Sequence, residues 1–97
     1  MRVLFLAAAV ATAVPATAQD VQGRNLAAAC AICHGTDGRA VTKDLVPLAG
    51  LSKEYIVRQL ADFRDGKRPA TVMHQIAKGY TDPQIDALAA WFAAQKR

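Results

Sequence analysis

The chain has 97 residues, 53% of them hydrophobic, and 12 Lys and Arg stand against 8 Asp and Glu for a formal charge of +4. That length holds one small domain. So mild a basic excess gives no reason to expect nucleic acid as a partner.

The first eighteen residues read as an export leader. Met1-Arg2 is a short positive start, Val3 to Ala11 is an unbroken apolar run, Pro15 breaks it, and Ala16-Thr17-Ala18 is a small-x-small cleavage site. That order is the layout of a secretory signal peptide. The apolar stretch is short for a bilayer span, and no second run of spanning length follows. One Arg and no Ser argue against a mitochondrial presequence. Cleavage at Ala11-Thr12-Ala13 would leave Pro15 beside the new terminus, so cleavage between Ala18 and Gln19 is expected. The expectation is a leader over 1–18 and a domain over 19–97, exported to the bacterial periplasm with no membrane anchor after cleavage. Loss of Arg2 with the leader lowers the basic excess by one.

The remaining sequence predicts an all-α domain, with no alternating strand pattern and no internal repeat. Asp20 is placed to cap a first helix running through Leu26 and the Ala27-Ala28-Ala29 run into a cysteine pair. Gly23 and Ala27, at i and i+4, would let a partner helix approach closely. Gly35, Gly38, Pro47 and Gly50 punctuate a loop. Ser52 opens a second helix, in which Tyr55 or Ile56, Leu60 and Phe63 recur at helical spacing and Arg58, Asp62 and Asp65 take the polar side. Gly66 stops it. Lys67-Arg68-Pro69 breaks the chain, and Ile76 and Ala77 suggest a short helical turn ended by Gly79. The last helix carries the clearest signals. Thr81 caps it, Gln84 completes a capping box, and Pro83 sits in its first turn. Ile85, Leu88, Ala89 and Phe92 form its apolar stripe with Trp91 beside it, and Lys96-Arg97 suit the negative end of the helix dipole.

Chemistry concentrates in the run Cys30-Ala31-Ile32-Cys33-His34. Two thiols three apart with an imidazole immediately after them form the pattern of covalent c-type haem attachment. On a helical turn both sulfurs reach the vinyl-derived carbons on one side of a porphyrin, and the next residue turns its imidazole toward the iron as proximal ligand. Three other readings of these residues exist. A thioredoxin-like dithiol wants a βαβ setting, and no β-rich stretch is visible. Zinc held by Cys30, Cys33, His34 and His74 would need adjacent Cys33 and His34 on one tetrahedral ion. A Cys30–Cys33 disulfide would close too small a loop to restrain the unfolded chain.

A second axial ligand is sought among soft or imidazole donors. Beyond the leader the chain has one methionine, Met73, thirty-nine residues after His34 and at a loop-to-helix transition. Met with His on one iron raises the reduction potential and closes both axial sites, which favours electron transfer over gas binding. His74 is the rival, and adjacent residues project in different directions, so only one of the two faces the iron. Were Met73 not to bind iron, a haem sensor with an open distal site would be the reading.

The whole of 19–97 resembles a small class I cytochrome c. The stretch Tyr55-Ile56-Val57-Arg58-Gln59-Leu60 through Phe63 and Gly66, then Arg68-Pro69-Ala70-Thr71-Val72-Met73 and Ala77-Lys78-Gly79-Tyr80, is similar to the haem subunit of flavocytochrome c sulfide dehydrogenases. The resemblance implies one haem c with thioether bonds at Cys30 and Cys33 and iron ligation by His34 and Met73. It also implies an FAD-containing flavoprotein partner that oxidises sulfide and passes electrons to the haem, so this chain alone would catalyse nothing. A free diffusible carrier serving other redox proteins is the second expectation. One departure from that family lies in the loop: Val46 stands where a proline carbonyl commonly orients the proximal His, and Pro47 follows it. A carbonyl survives at Val46, so orientation of His34 is expected to be kept. Arg58, Arg64, Lys67, Arg68 and Lys78 around the Met segment could meet an acidic partner, aiding encounter more than affinity.

Overall fold

A computed structural model describes residues 3–9 and 17–97, and all regular structure among them is helical. Five α-helices follow in order: α1 (Thr17–Ala27), α2 (Ala31–His34), α3 (Lys53–Arg64), α4 (Met73–Ala77) and α5 (Asp82–Ala93). None is long and apolar enough to cross a membrane. The expected cleavage point falls in the first turn of α1.

α1 begins at Thr17, three residues ahead of Asp20, which therefore lies inside the helix and is not its cap. Thr17-Ala18-Gln19 is compatible with helical backbone, so the helix extends upstream of the residue whose side chain best suited a start. At its other end α1 tightens into a single 3-10 turn over Ala28–Cys30 before α2 resumes. The cysteine pair is thus carried on two short helical pieces, not on one continuous helix.

α1 crosses α5 at Gly23. A methyl group built there would lie 2.8 Å from the Ala87 carbonyl oxygen and 3.0 Å from Trp91 Cβ, closer than side chains pack. The absent Cβ is what permits the approach, and it offsets the roughly 1 kcal/mol that a helical glycine costs. Ala27, one turn on, is buried in the same seam.

The core forms around α5. Leu88, Ala89 and Phe92 are buried together with Ala27 and Ile56, and Leu60 of α3 and Leu48 and Leu51 of the preceding loop pack against them. Trp91 is only half-buried and meets the Phe92 ring edge-on, with centroids 5.4 Å apart and planes at 78°. The start signals of α3 and α5 operate as expected. The Ser52 hydroxyl accepts from Tyr55 N at 3.2 Å. Thr81 Oγ1 accepts from Gln84 N at 3.3 Å, and Gln84 Oε1 accepts from Thr81 N at 3.0 Å, closing the capping box. On α3 it is Ile56, not Tyr55, that faces the core: Tyr55 is 39% exposed. On α4 Ala77 is wholly buried while Ile76 is 41% exposed, so the small residue of that pair does the packing.

Candidate functional site

Gly35 closes α2 with φ of 88°, and a Cβ there would collide with the Arg39 carbonyl. The chain therefore reverses directly after His34. A 3-10 turn over Thr36–Gly38 follows, in which Asp37 takes φ of 57°. The Gly38 carbonyl then accepts from both Leu48 N (2.8 Å) and Ala49 N (3.1 Å), pinching the loop shut at its base. Gly50 N donates to the Phe92 carbonyl at 3.0 Å, and Arg39 Nε donates to the Lys96 carbonyl at 3.0 Å. Both bonds tie the loop to the end of α5.

That pinned loop holds the Val46 carbonyl 2.7 Å from His34 Nδ1. A carbonyl oxygen only accepts, so Nδ1 is the protonated nitrogen and Nε2 keeps its lone pair. This is the arrangement of a metal-ligating histidine: one ring nitrogen fixed by a backbone acceptor, the other free to bind. Pro47 after Val46 has not displaced the acceptor. The loop with Val46 at the orienting position keeps the contact expected of it.

The two thiols sit in different surroundings. Cys30 is half-buried and packs on the core cluster, whereas Cys33 is exposed, and both are free. Burial pushes the Cys30 thiol up from its ordinary range, with its own backbone and the Tyr80 hydroxyl opposing the shift. Tyr80 is the residue to which sequence reasoning gave no task. Its hydroxyl donates to the Leu26 carbonyl at 3.3 Å, one residue before α1 ends and one turn before Cys30. Burial, then the neighbouring Cys30, raises the Tyr80 hydroxyl above its usual value. A tyrosine directly after a Gly that ends a helix was the available signal, but nothing local says which segment it reaches.

Met73 opens α4, which packs on α3. Met73 and His74 point apart by about 100°, as successive helical residues do. The His74 ring lines a depression against the end of α3, together with Phe63, Arg68 and Lys78, and Met73 does not line it. His74 Nδ1 is shut off from solvent without a hydrogen-bond partner among the described residues. Nor is His74 brought to the Cys-His run: among the described residues no three of His, Cys, Asp and Glu cluster as metal ligands. The four-ligand zinc alternative is therefore not assembled.

The cations around the Met segment divide into two sets. Arg64 is engaged by Asp82 and by Asp65, at 3.4 Å from the latter, and these carboxylates raise its already high pKa, Asp82 most. Arg58 lies over the Tyr55 ring at 6.0 Å. Lys67, Arg68 and Lys78 have no ion-pair partner among the described residues. The residues present fit a covalently held haem: two free thiols on one side of a tight turn, and an adjacent imidazole already set in the metal-binding tautomer.

Residues 21–96 match the family model described as Cytochrome c. The chain is 43% identical over 74 residues to the cytochrome subunit of sulfide dehydrogenase of Chlorobaculum tepidum, a match covering 75% of this chain and 66% of that protein. It is 32% identical over 77 residues to cytochrome c-554(548) of Halomonas halodenitrificans, covering 76% of this chain and 93% of that one. Among solved structures it superposes on cytochrome c4 of Acidithiobacillus ferrooxidans with a TM-score of 0.74 at 34% identity, over 79% of this chain and 49% of the other. It thus spans just under two thirds of the sulfide dehydrogenase subunit and about half of the cytochrome c4 chain.

Proposed function

The chain belongs to the cytochrome c family and carries a covalently attached haem c, and on that premise we propose that it moves single electrons as the haem subunit of a sulfide-oxidising flavocytochrome complex. The haem supplies the one-electron couple. Cys30 and Cys33 would hold it through thioether bonds, and His34 Nε2 and Met73 Sδ would be the two protein donors to its iron. With an imidazole and a thioether both given to the iron, the group would serve electron relay and not substrate or gas binding, and catalysis would fall to the partner.

The observation that carries this reading is the His34–Val46 hydrogen bond of 2.7 Å, which presets the proximal nitrogen for iron. The flavoprotein partner rests on similarity to a cytochrome subunit of sulfide dehydrogenase. Export to the periplasm with removal of residues 1–18 rests on the leader pattern. A free carrier is the second reading, favoured by the match to nearly the whole length of cytochrome c-554(548).

Spectroscopy tests the ligands. The ferric protein should be low-spin with the weak near-infrared sulfur-to-iron band, and Met73→Ala should abolish that band and lower the potential. Loss of the band in His74→Ala with none in Met73→Ala would reassign the ligand. Purification from the native host tests the assembly. A stoichiometric flavoprotein supports the complex, and a haem protein that elutes alone and accepts electrons equally from unrelated donors supports the free carrier.

A further inference from the structure

The segment from Gly66 to Tyr80 is fastened at both ends. At its start Lys67 N and Arg68 N donate to the Asp62 carbonyl, at 2.9 and 3.3 Å, and the Arg68 guanidinium donates to the Gln59 side chain, so all of these bonds lead back to α3. At its end the Tyr80 hydroxyl donates to the Leu26 carbonyl at 3.3 Å. Among the hydrogen bonds of the described residues, this is the one that joins the segment to the part of the chain carrying Cys30 and His34. The Leu26 carbonyl is free to accept it for a local reason. In the 3-10 turn over Ala28–Cys30 each N–H reaches three residues back instead of four, so the carbonyl four before Cys30 is left over. The Tyr80 ring packs against the core cluster, and Cys30 lies close enough to perturb its hydroxyl.

We propose that Tyr80 is a positioning residue for Met73: its hydroxyl latches the Met73 segment to the turn that bears Cys30, and so limits how often the Met73 thioether leaves the iron. The proposal rests on the reading of Met73 as an iron donor and adds what keeps it there. Tyr80 follows Met73 by seven residues, and the chain between them is an almost continuous hydrogen-bonded rod. α4 spans Met73–Ala77, Gly79 N donates to the Ile76 carbonyl at 3.0 Å, and Tyr80 N donates to the Ala77 carbonyl at 3.3 Å. A displacement at Tyr80 is therefore passed to Met73 with little slack. Packing restrains the segment only weakly, since Ala77 is its single buried residue. Attachment of the cofactor would leave the latch in place. A thioether sulfur at Cys30 has no proton and accepts weakly, so the one proton of the hydroxyl stays with the Leu26 carbonyl. Burial holds the Tyr80 hydroxyl above its usual range, so it keeps that proton at neutral pH.

Imidazole is the probe, because it reaches the iron only after Met73 has left it. Titrated into the ferric holoprotein at neutral pH, it should bleach the near-infrared sulfur-to-iron band. Its apparent affinity is set by the fraction of molecules in which Met73 is off the iron. Tyr80→Phe keeps the ring and deletes only the hydroxyl. Loss of that one bond should raise the apparent imidazole affinity about fivefold, with the band intact before imidazole is added. Ser52→Ala removes the cap of α3 and should lower resistance to denaturant to a similar degree, yet leave the imidazole affinity at the parent value. Equal affinity in Tyr80→Phe and the parent would overturn the latch. An equal rise in Ser52→Ala would overturn it too, because general loosening would then account for the effect. A ferric parent that lacks the band overturns the Met73 reading and the latch with it. A parent that shows the band, with Tyr80→Phe unchanged, removes the latch alone.

Discussion

Two halves of the molecule are held by different means. The α1–α5 crossing, with Phe92 beneath it, is closed by backbone approach at Gly23 and by a continuous set of buried side chains. The stretch from Gly66 to Tyr80 buries one residue fully, Ala77, and otherwise leans on polar contacts and on Arg68 over Phe63. The first region is a rigid frame that positions His34 through the loop tied to α5. The second, which carries Met73, has little packing of its own. With His34 and Met73 as the proposed iron ligands, segments of such different stiffness imply that the Met73 side yields first to heat or denaturant, because local opening follows the density of buried contacts.

The largest expected effect comes from breaking the frame. Phe92→Ala removes the largest fully buried side chain and should cost about 3–5 kcal/mol in denaturant unfolding of the holoprotein. A loss below 1 kcal/mol would mean that the core is not centred there. Gly23→Val forces apart two helices in backbone contact and should cost about 1–3 kcal/mol, with the haem spectrum retained. If it left stability unchanged, the crossing would be looser than the 2.8 Å approach indicates. Thr81→Ala deletes half of the capping box and should cost about 1 kcal/mol.

The smallest effect is at the joint between the regions. Tyr80 is kept neutral above its ordinary value of about 10.0, so its contribution is complete below that pH and is lost as pH rises through the higher folded value. Stability of the parent should therefore decline at strongly alkaline pH, and in Tyr80→Phe that part of the decline should vanish. Parallel pH profiles for the two proteins would show that the hydroxyl is not desolvated.

Much of this arrangement was legible in the chain because it is written in local signals. Ser52, Thr81 with Gln84, and the glycine at 66 mark helix ends through bonds made within a few residues, so their positions follow from sequence alone. Gly23 was legible as well, since a glycine inside a helix is costly without a close neighbour. The carbonyl at Val46 was anticipated from the resemblance alone, because Val46 stands where that family's orienting proline falls. What could not be read depends on contacts distant in sequence. Whether Tyr55 or Ile56 faces the core, and whether Ile76 or Ala77 does, turns on the rotation of each helix against α5. Tyr80 reaching Leu26, Arg39 reaching Lys96, and the split of the cations into paired and unpaired sets are likewise settled only by the assembled fold. The start of α1 was misplaced for a different reason. Asp20 is a good cap by chemistry, but Thr17, Ala18 and Gln19 directly ahead of it accept helical backbone, and a start signal is weak without an adjacent break.

The bonds from Gly50 to Phe92 and from Arg39 to Lys96 have a temporal consequence. A ribosome delivers residues 30–34 long before residues 92–96 exist, and a small domain whose contacts span most of its length cannot close until its end has emerged. During synthesis, the loop that orients His34 therefore has nothing to fasten to. The Cys-Ala-Ile-Cys-His run is then still open on every side, and Cys30 becomes half-buried against the core only once the final helix has docked. Until that helix docks, both thiols are accessible, including the one that the finished fold half-buries.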